Sequence, residues 1–133
     1  MTTEKSKPLP ANEWQARLKK ARMEGNLEGV ACIYEDLALA RREEGAHAAS
    51  RRAFRDAAKA WRTARSAMTR RRWSRESYDL VFPDSMRREA ECLAEVGSFL
   101  EARRLLGRVK RCRKGPLFAK EIQALLKWFP QLA

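Results

Sequence analysis

Gly25-Asn26-Leu27-Glu28-Gly29-Val30-Ala31 leads into Ile33-Tyr34 and Leu37, and Gly97-Ser98-Phe99-Leu100-Glu101-Ala102 leads into Leu105-Leu106 and Val109. In both stretches a glycine closes one apolar-periodic segment, and a small or aliphatic residue five positions later sits inside the next. Glycine takes the left-handed conformation that ends a helix at little steric cost. Apolar residues at three- and four-residue steps on both sides mark helices. The phrase therefore predicts helix–turn–helix units, an architecture that offers a binding surface rather than a catalytic pocket.

Outward from these turns the same period continues. Asn12 reads as a helix cap ahead of Trp14, Leu18 and Ala21, with the stop at Glu24-Gly25. A second helix follows Asn26 and fades through Arg41-Arg42-Glu43-Glu44 to Gly45. A third is expected over 47–72, a stretch without Gly or Pro, with Phe54, Ala57, Ala58, Trp61, Ala64 and Met68 as its apolar stripe. Residues 73–83 read as a connection closed by Phe82-Pro83, because proline disfavours helix in the residue before it. The fourth helix is then expected after Pro83-Asp84-Ser85, up to Val96-Gly97, and the fifth from Ser98 to about residue 113. Gly115-Pro116 supplies a C-cap and an N1 proline, and the sixth helix, 116–128, is apolar over much of its circumference and is expected to cap the stack.

Composition agrees. Gly and Pro total 11 of 133 residues, and Ala, Arg, Leu and Glu dominate over the β-branched types. The expected class is all-α, about six helices packed as antiparallel hairpins, with residues 1–10 a flexible arm and 11–133 a single helical domain. Charge is lopsided: 29 basic against 17 acidic residues, net +12, of which +8 falls within residues 51–76. Such a field favours acidic partners, and its alternative reading is a solvated helix face.

Three cysteines (Cys32, Cys92, Cys112) and one histidine show no metal-ligand or disulfide spacing, so buried small apolar residues in a reducing compartment are expected. Met1 to Pro10 lacks the apolar run of a signal peptide, and no stretch approaches a membrane span of ~20 apolar residues. The expected location is cytoplasmic, with no membrane partner.

Trp14…Ala21…Gly25…Leu27…Val30…Tyr34…Leu37 resembles a tetratricopeptide repeat, and Pro83…Met86…Ala90…Leu93…Gly97…Phe99…Ala102…Leu106 looks like a second copy. The turn glycines stand 72 positions apart, near twice a period of about 34. The resemblance covers about half the chain, and residues 47–80 depart from it by offering one long helix where the family has two. It implies a helical stack that binds a partner; an unrelated helical bundle is the alternative. Pentatricopeptide repeats, which bind RNA, share much of the pattern.

Chemistry for catalysis is sparse. His47 stands near a helix start among small residues, the carboxylate pairs Glu35-Asp36 and Glu43-Glu44 are sequence neighbours that do not face each other on a helix, and no phosphate-cradling loop occurs. No enzyme activity, cofactor, metal or small-molecule substrate is implied. The strongest functional signal is a basic stripe: Arg51, Arg55, Lys59 and Arg62 every three or four residues, flanked by Arg52 and Arg65. Arg70, Arg71, Arg72 and Trp73 extend it, and Arg108 and Arg111 belong to the basic end of the fifth helix. Arginine suits bidentate pairing with carboxylates of an acidic protein, and the same groups can track phosphates while Trp73 stacks a base. The reading is a non-enzymatic adaptor or scaffold engaging an acidic protein, with RNA or DNA binding by the same face as the alternative. A weaker pattern, Leu93-Ala94-Glu95-Val96-Gly97-Ser98 into Ala102-Arg103-Arg104, resembles a DNA-binding helix-turn-helix.

Overall fold

The computed structural model describes residues 9–68 and 74–133. The protein is all-α, with α1 (Ala11–Met23), α2 (Leu27–Glu43), α3 (His47–Met68), α4 (Arg75–Glu95), α5 (Phe99–Arg111) and α6 (Ala119–Trp128) among the described residues. Two 3₁₀ turns, Gly115–Phe118 and Pro130–Leu132, flank α6.

The glycine turn occurs three times. Gly25, Gly45 and Gly97 all have positive φ, at 68°, 79° and 82°. Each donates its N–H to a carbonyl three residues back, and the next residue donates to one five back: Asn26 to Ala21, Ala46 to Arg41 and Ser98 to Leu93, all at 2.9 Å. This is the Schellman closure, which satisfies carbonyls that the helix end leaves open. Asn26 also caps α2, its Oδ1 accepting from Gly29 N at 3.0 Å. Turns this short make neighbouring helices antiparallel, and α1 packs on α2, α2 on α3, α3 on α4 and α4 on α5.

Small residues set the packing. Ala31 and Ala38 of α2, Ala53, Ala57, Ala58 and Ala64 of α3, Ala90 and Ala94 of α4 and Ala102 of α5 are buried at the contacts. Larger groups fill the gaps: Phe54, Trp61, Met86, Leu93, Leu106, Val109 and Ile122. Leu18, Ala21 and Val30 form a smaller cluster that ties α1 to α2.

Several expectations are corrected. α1 starts at Ala11 rather than after an Asn12 cap, because the extended Pro10 offers its carbonyl to Glu13 N at 2.9 Å. The proposed connection over 73–83 is mostly helix. Ser74 caps α4 by accepting from Ser77 N (3.2 Å), and Tyr78 stacks on Phe82 one turn later, with centroids 5.0 Å apart. Pro83 sits inside this helix, fully buried. An interior proline costs ~3 kcal/mol, which burial of the ring offsets in part. α5 ends at Arg111 because Cys112 turns extended, and Gly115 opens the 3₁₀ turn instead of capping the helix. Gly115 presses its backbone against the Val109 and Lys110 carbonyls, where any Cβ would clash. Ile122 and Leu125 are the buried residues of α6 and Trp128 is 81% exposed, so α6 buries only one side.

The third helix is described to Met68. Its expected continuation to residue 72, like residues 1–8 of the proposed arm, lies outside the described residues. Cys92 is buried and Cys32 and Cys112 are half-buried, all three as free thiols. Burial pushes the Cys32 and Cys92 thiols up, which keeps both protonated and unreactive. No described helix is long and apolar enough to cross a membrane.

Candidate anion-binding cleft

α3 and α5 form the two walls of a cleft and α4 its floor. Arg62, Arg65 and Ser66 come from α3, Phe82 and Glu89 from α4, and Glu101, Arg104, Leu105 and Arg108 from α5, around a volume of about 730 Å³. Helical spacing explains the walls. Arg62, Arg65 and Ser66 share one side of α3, and Glu101, Arg104 and Arg108 recur at three- and four-residue steps along α5.

The floor holds a buried charge. The Glu89 side chain is 1% exposed and accepts from Arg65 Nη2 at 2.5 Å and from Arg62 Nη2 at 3.2 Å. Arg65 itself is only 9% exposed, and its Nη1 has no hydrogen-bond partner among the described residues. Arg62, at 57% exposure, also reaches Glu101 at 3.6 Å. Among the described residues, four guanidiniums and two carboxylates line the cleft, an excess of two positive charges.

The adjacent residue of α4 serves the opposite side of α3. Arg88 Nη2 pairs with Glu35 Oε2 of α2 at 3.2 Å and lies over the Trp61 ring, 4.5 Å from its centroid. Trp61 donates its Nε1–H to the same Glu35 oxygen at 2.7 Å. Burial raises the Glu35 pKa, outweighing the lowering by Arg88 and by the Trp61 bond. The folded protein therefore holds this proton more tightly than the unfolded chain. The stabilisation from Glu35 is full below the ordinary carboxylate range and is lost as pH rises through the raised value. Urea unfolding of the protein and of Glu35→Gln from about pH 4 to about pH 8 is expected to show the difference in stability shifting against the glutamate as pH rises.

Of the residues singled out in the sequence, the structure brings Arg62 and Arg108 into one cleft. Arg51 and Arg55 are exposed on the same side of α3 as Arg62, roughly 16 and 10 Å back along the axis at 1.5 Å per residue. Arg111 is exposed one turn beyond Arg108. Lys59 belongs elsewhere, in a groove with Arg22, Leu27, Val30 and Tyr34. Arg70, Arg71, Arg72 and Trp73 lie outside the described residues. Arg65, expected to flank the wet face, is a correction: it is buried because α4 brings Glu89 against it.

Glu89 and Glu101 were not read as site residues in the sequence, and Arg104 entered only through the helix-turn-helix pattern. Glu89 carried a signal, since it falls between Met86 and Ala90 on the apolar side of α4, where a carboxylate requires a cationic partner. Arg104 stands four residues before Arg108 and seven before Arg111, a periodic stripe on α5. No group of His, Cys, Asp and Glu among the described residues is arranged to hold a metal. Comparison with known proteins finds no match: no family model, curated protein or solved structure is similar to this chain.

Proposed function

We propose that this protein is a non-enzymatic binding module whose α3–α5 cleft holds an acidic segment of a partner protein. The observation that carries the reading is the convergence of Arg62, Arg65, Arg104 and Arg108 on one cleft, with apolar Phe82 on its floor and Leu105 in its α5 wall. Arginine forks pair with carboxylates through two parallel hydrogen bonds, so the cleft selects for acidic side chains in defined positions. Its deepest cation, Arg65, lies behind Arg62 and beside Glu89. A peptide side chain can reach that depth, whereas a duplex backbone cannot follow it there. The two carboxylates within the cleft also interrupt what would otherwise be a continuous cationic track. Packing of α1 to α5, each on its chain neighbours, supports a tetratricopeptide-like stack as the scaffold.

A single nucleic-acid strand is the second reading, favoured by the exposed Arg51 and Arg55 that extend the α3 stripe past the cleft. Fluorescence anisotropy with a labelled glutamate-rich peptide and a labelled single-stranded RNA separates the two. For the acidic-peptide reading, Arg104→Glu with Arg108→Glu is expected to weaken peptide binding by about 100-fold, and Arg51→Glu with Arg55→Glu to change it little. A strand that tracks phosphates loses affinity with both pairs. It also weakens by orders of magnitude between about 50 and about 200 mM salt. RNA binding that follows this second pattern, without peptide binding, overturns the proposal.

A further inference from the structure

We infer that the group seated deepest in the cleft is a phosphate monoester, so that the partner is held through a phosphorylated side chain; this rests on the reading of the cleft as the partner site. Three observations converge on it. First, Arg65 is fixed by Glu89 through Nη2 at 2.5 Å, while its buried Nη1 has no hydrogen-bond partner among the described residues. Buried guanidinium donors are normally satisfied, and an oxyanion that enters as Arg62 swings aside supplies the missing acceptor. Second, Arg104 and Arg108 stand in the facing wall, and neither pairs with a carboxylate among the described residues. Third, the excess of two positive charges among the described residues of the cleft matches a monoester dianion. A carboxylate or a phosphodiester brings one negative charge and leaves half of that excess uncompensated.

The cations are all arginine. A planar fork takes two oxygens of one phosphate, and three non-ester oxygens allow Arg65, Arg104 and Arg108 to share the group. Arg62 divides its contacts between Glu89 at 3.2 Å and Glu101 at 3.6 Å over the mouth of the cleft. These longer, partly exposed contacts yield to the incoming anion more readily than the Arg65–Glu89 pair. Phe82 and Leu105 then receive the carbon chain that carries the phosphate.

The test is fluorescence anisotropy with three labelled pools of short peptides of randomised flanks, centred on phosphoserine, serine or glutamate, at about 150 mM salt. The phosphoserine pool is expected to bind at least about 10-fold more tightly than either other pool. Inorganic phosphate should displace it, and acetate at equal ionic strength should not. Arg65→Lys keeps the charge and removes the fork, and is expected to lose most of that preference. Arg104→Gln with Arg108→Gln, at exposed positions that do not hold the core, should lose it too with unchanged circular dichroism. Equal binding of the phosphoserine and glutamate pools, lost in the Arg104/Arg108 variant, overturns the phosphate inference and leaves the acidic cleft standing. A preference for phosphoserine that survives in both variants places the site elsewhere and overturns both. Binding of no pool overturns both as well.

Discussion

Glu89→Ala is expected to destabilise the protein by about 3–5 kcal/mol, the cost of stranding a buried cation. The side chain is 1% exposed and is the closest carboxylate to Arg65, which is itself 9% exposed. Removing it leaves the largely buried Arg65 guanidinium without its counter-charge, and removes one of the two carboxylates that hold Arg62. Urea unfolding followed by circular dichroism reads the effect, and a loss below about 1 kcal/mol contradicts a buried pair of this kind. Replacing both partners, Arg65→Met with Glu89→Leu, is expected to restore most of the stability, since well-packed apolar groups often match a buried ion pair. That double variant should fold and fail to bind the acidic peptide. That outcome would mark the pair as a device for binding rather than for stability.

Trp61→Ala is expected to cost a similar amount, about 3–5 kcal/mol, through the loss of a large core side chain and the cavity it leaves. Trp61 is buried at the centre of α3, and its Nε1 supplies Glu35 with a donor at 2.7 Å while Arg88 covers the ring at 4.5 Å. Trp61→Phe separates the contributions. It keeps most of the aromatic volume and removes the donor, leaving a half-buried carboxylate with Arg88 as its remaining partner, for an expected cost of about 1–3 kcal/mol. The same unfolding assay measures both. A Trp61→Phe variant as stable as the parent contradicts a structural role for the indole hydrogen bond.

The helices were legible because their ends are written in residue types that act locally. A glycine that must take positive φ announces itself, and Gly25, Gly45 and Gly97 do so with the same hydrogen-bond closure. The start of α4 was misread because proline acts locally as a breaker, and its tolerance at position 83 depends on burial that only tertiary packing supplies. The outward extent of α6 was obscured for the converse reason. Leu117 and Trp128 are apolar by type, and nothing in their spacing tells which side lacks a neighbour.

The cleft was half legible. Periodicity placed Arg62 and Arg108 on exposed faces but not opposite each other, because the approach of α3 to α5 depends on both packing on α4. Arg65 was misplaced because its burial is a property of the Glu89 partner, 24 positions away in the chain. Spacing suggested one basic stripe along α3, Arg51, Arg55, Lys59 and Arg62. The structure divides that charge into an outward part, Arg51 and Arg55, and a cleft in which two carboxylates hold Arg62 and Arg65.

The central claim is that the cleft, rather than the general positive charge, receives the acidic partner. Side-chain NMR of the arginine Nε–Hε groups during titration with a glutamate-rich peptide tests it most directly. The account predicts that Arg62, Arg65, Arg104 and Arg108 shift together and saturate with one affinity, while Arg17, Arg22 and Arg41 near the α1–α2 groove stay in place. Equal, non-saturating shifts across all exposed arginines, or a response confined to the α1–α2 groove, would contradict it.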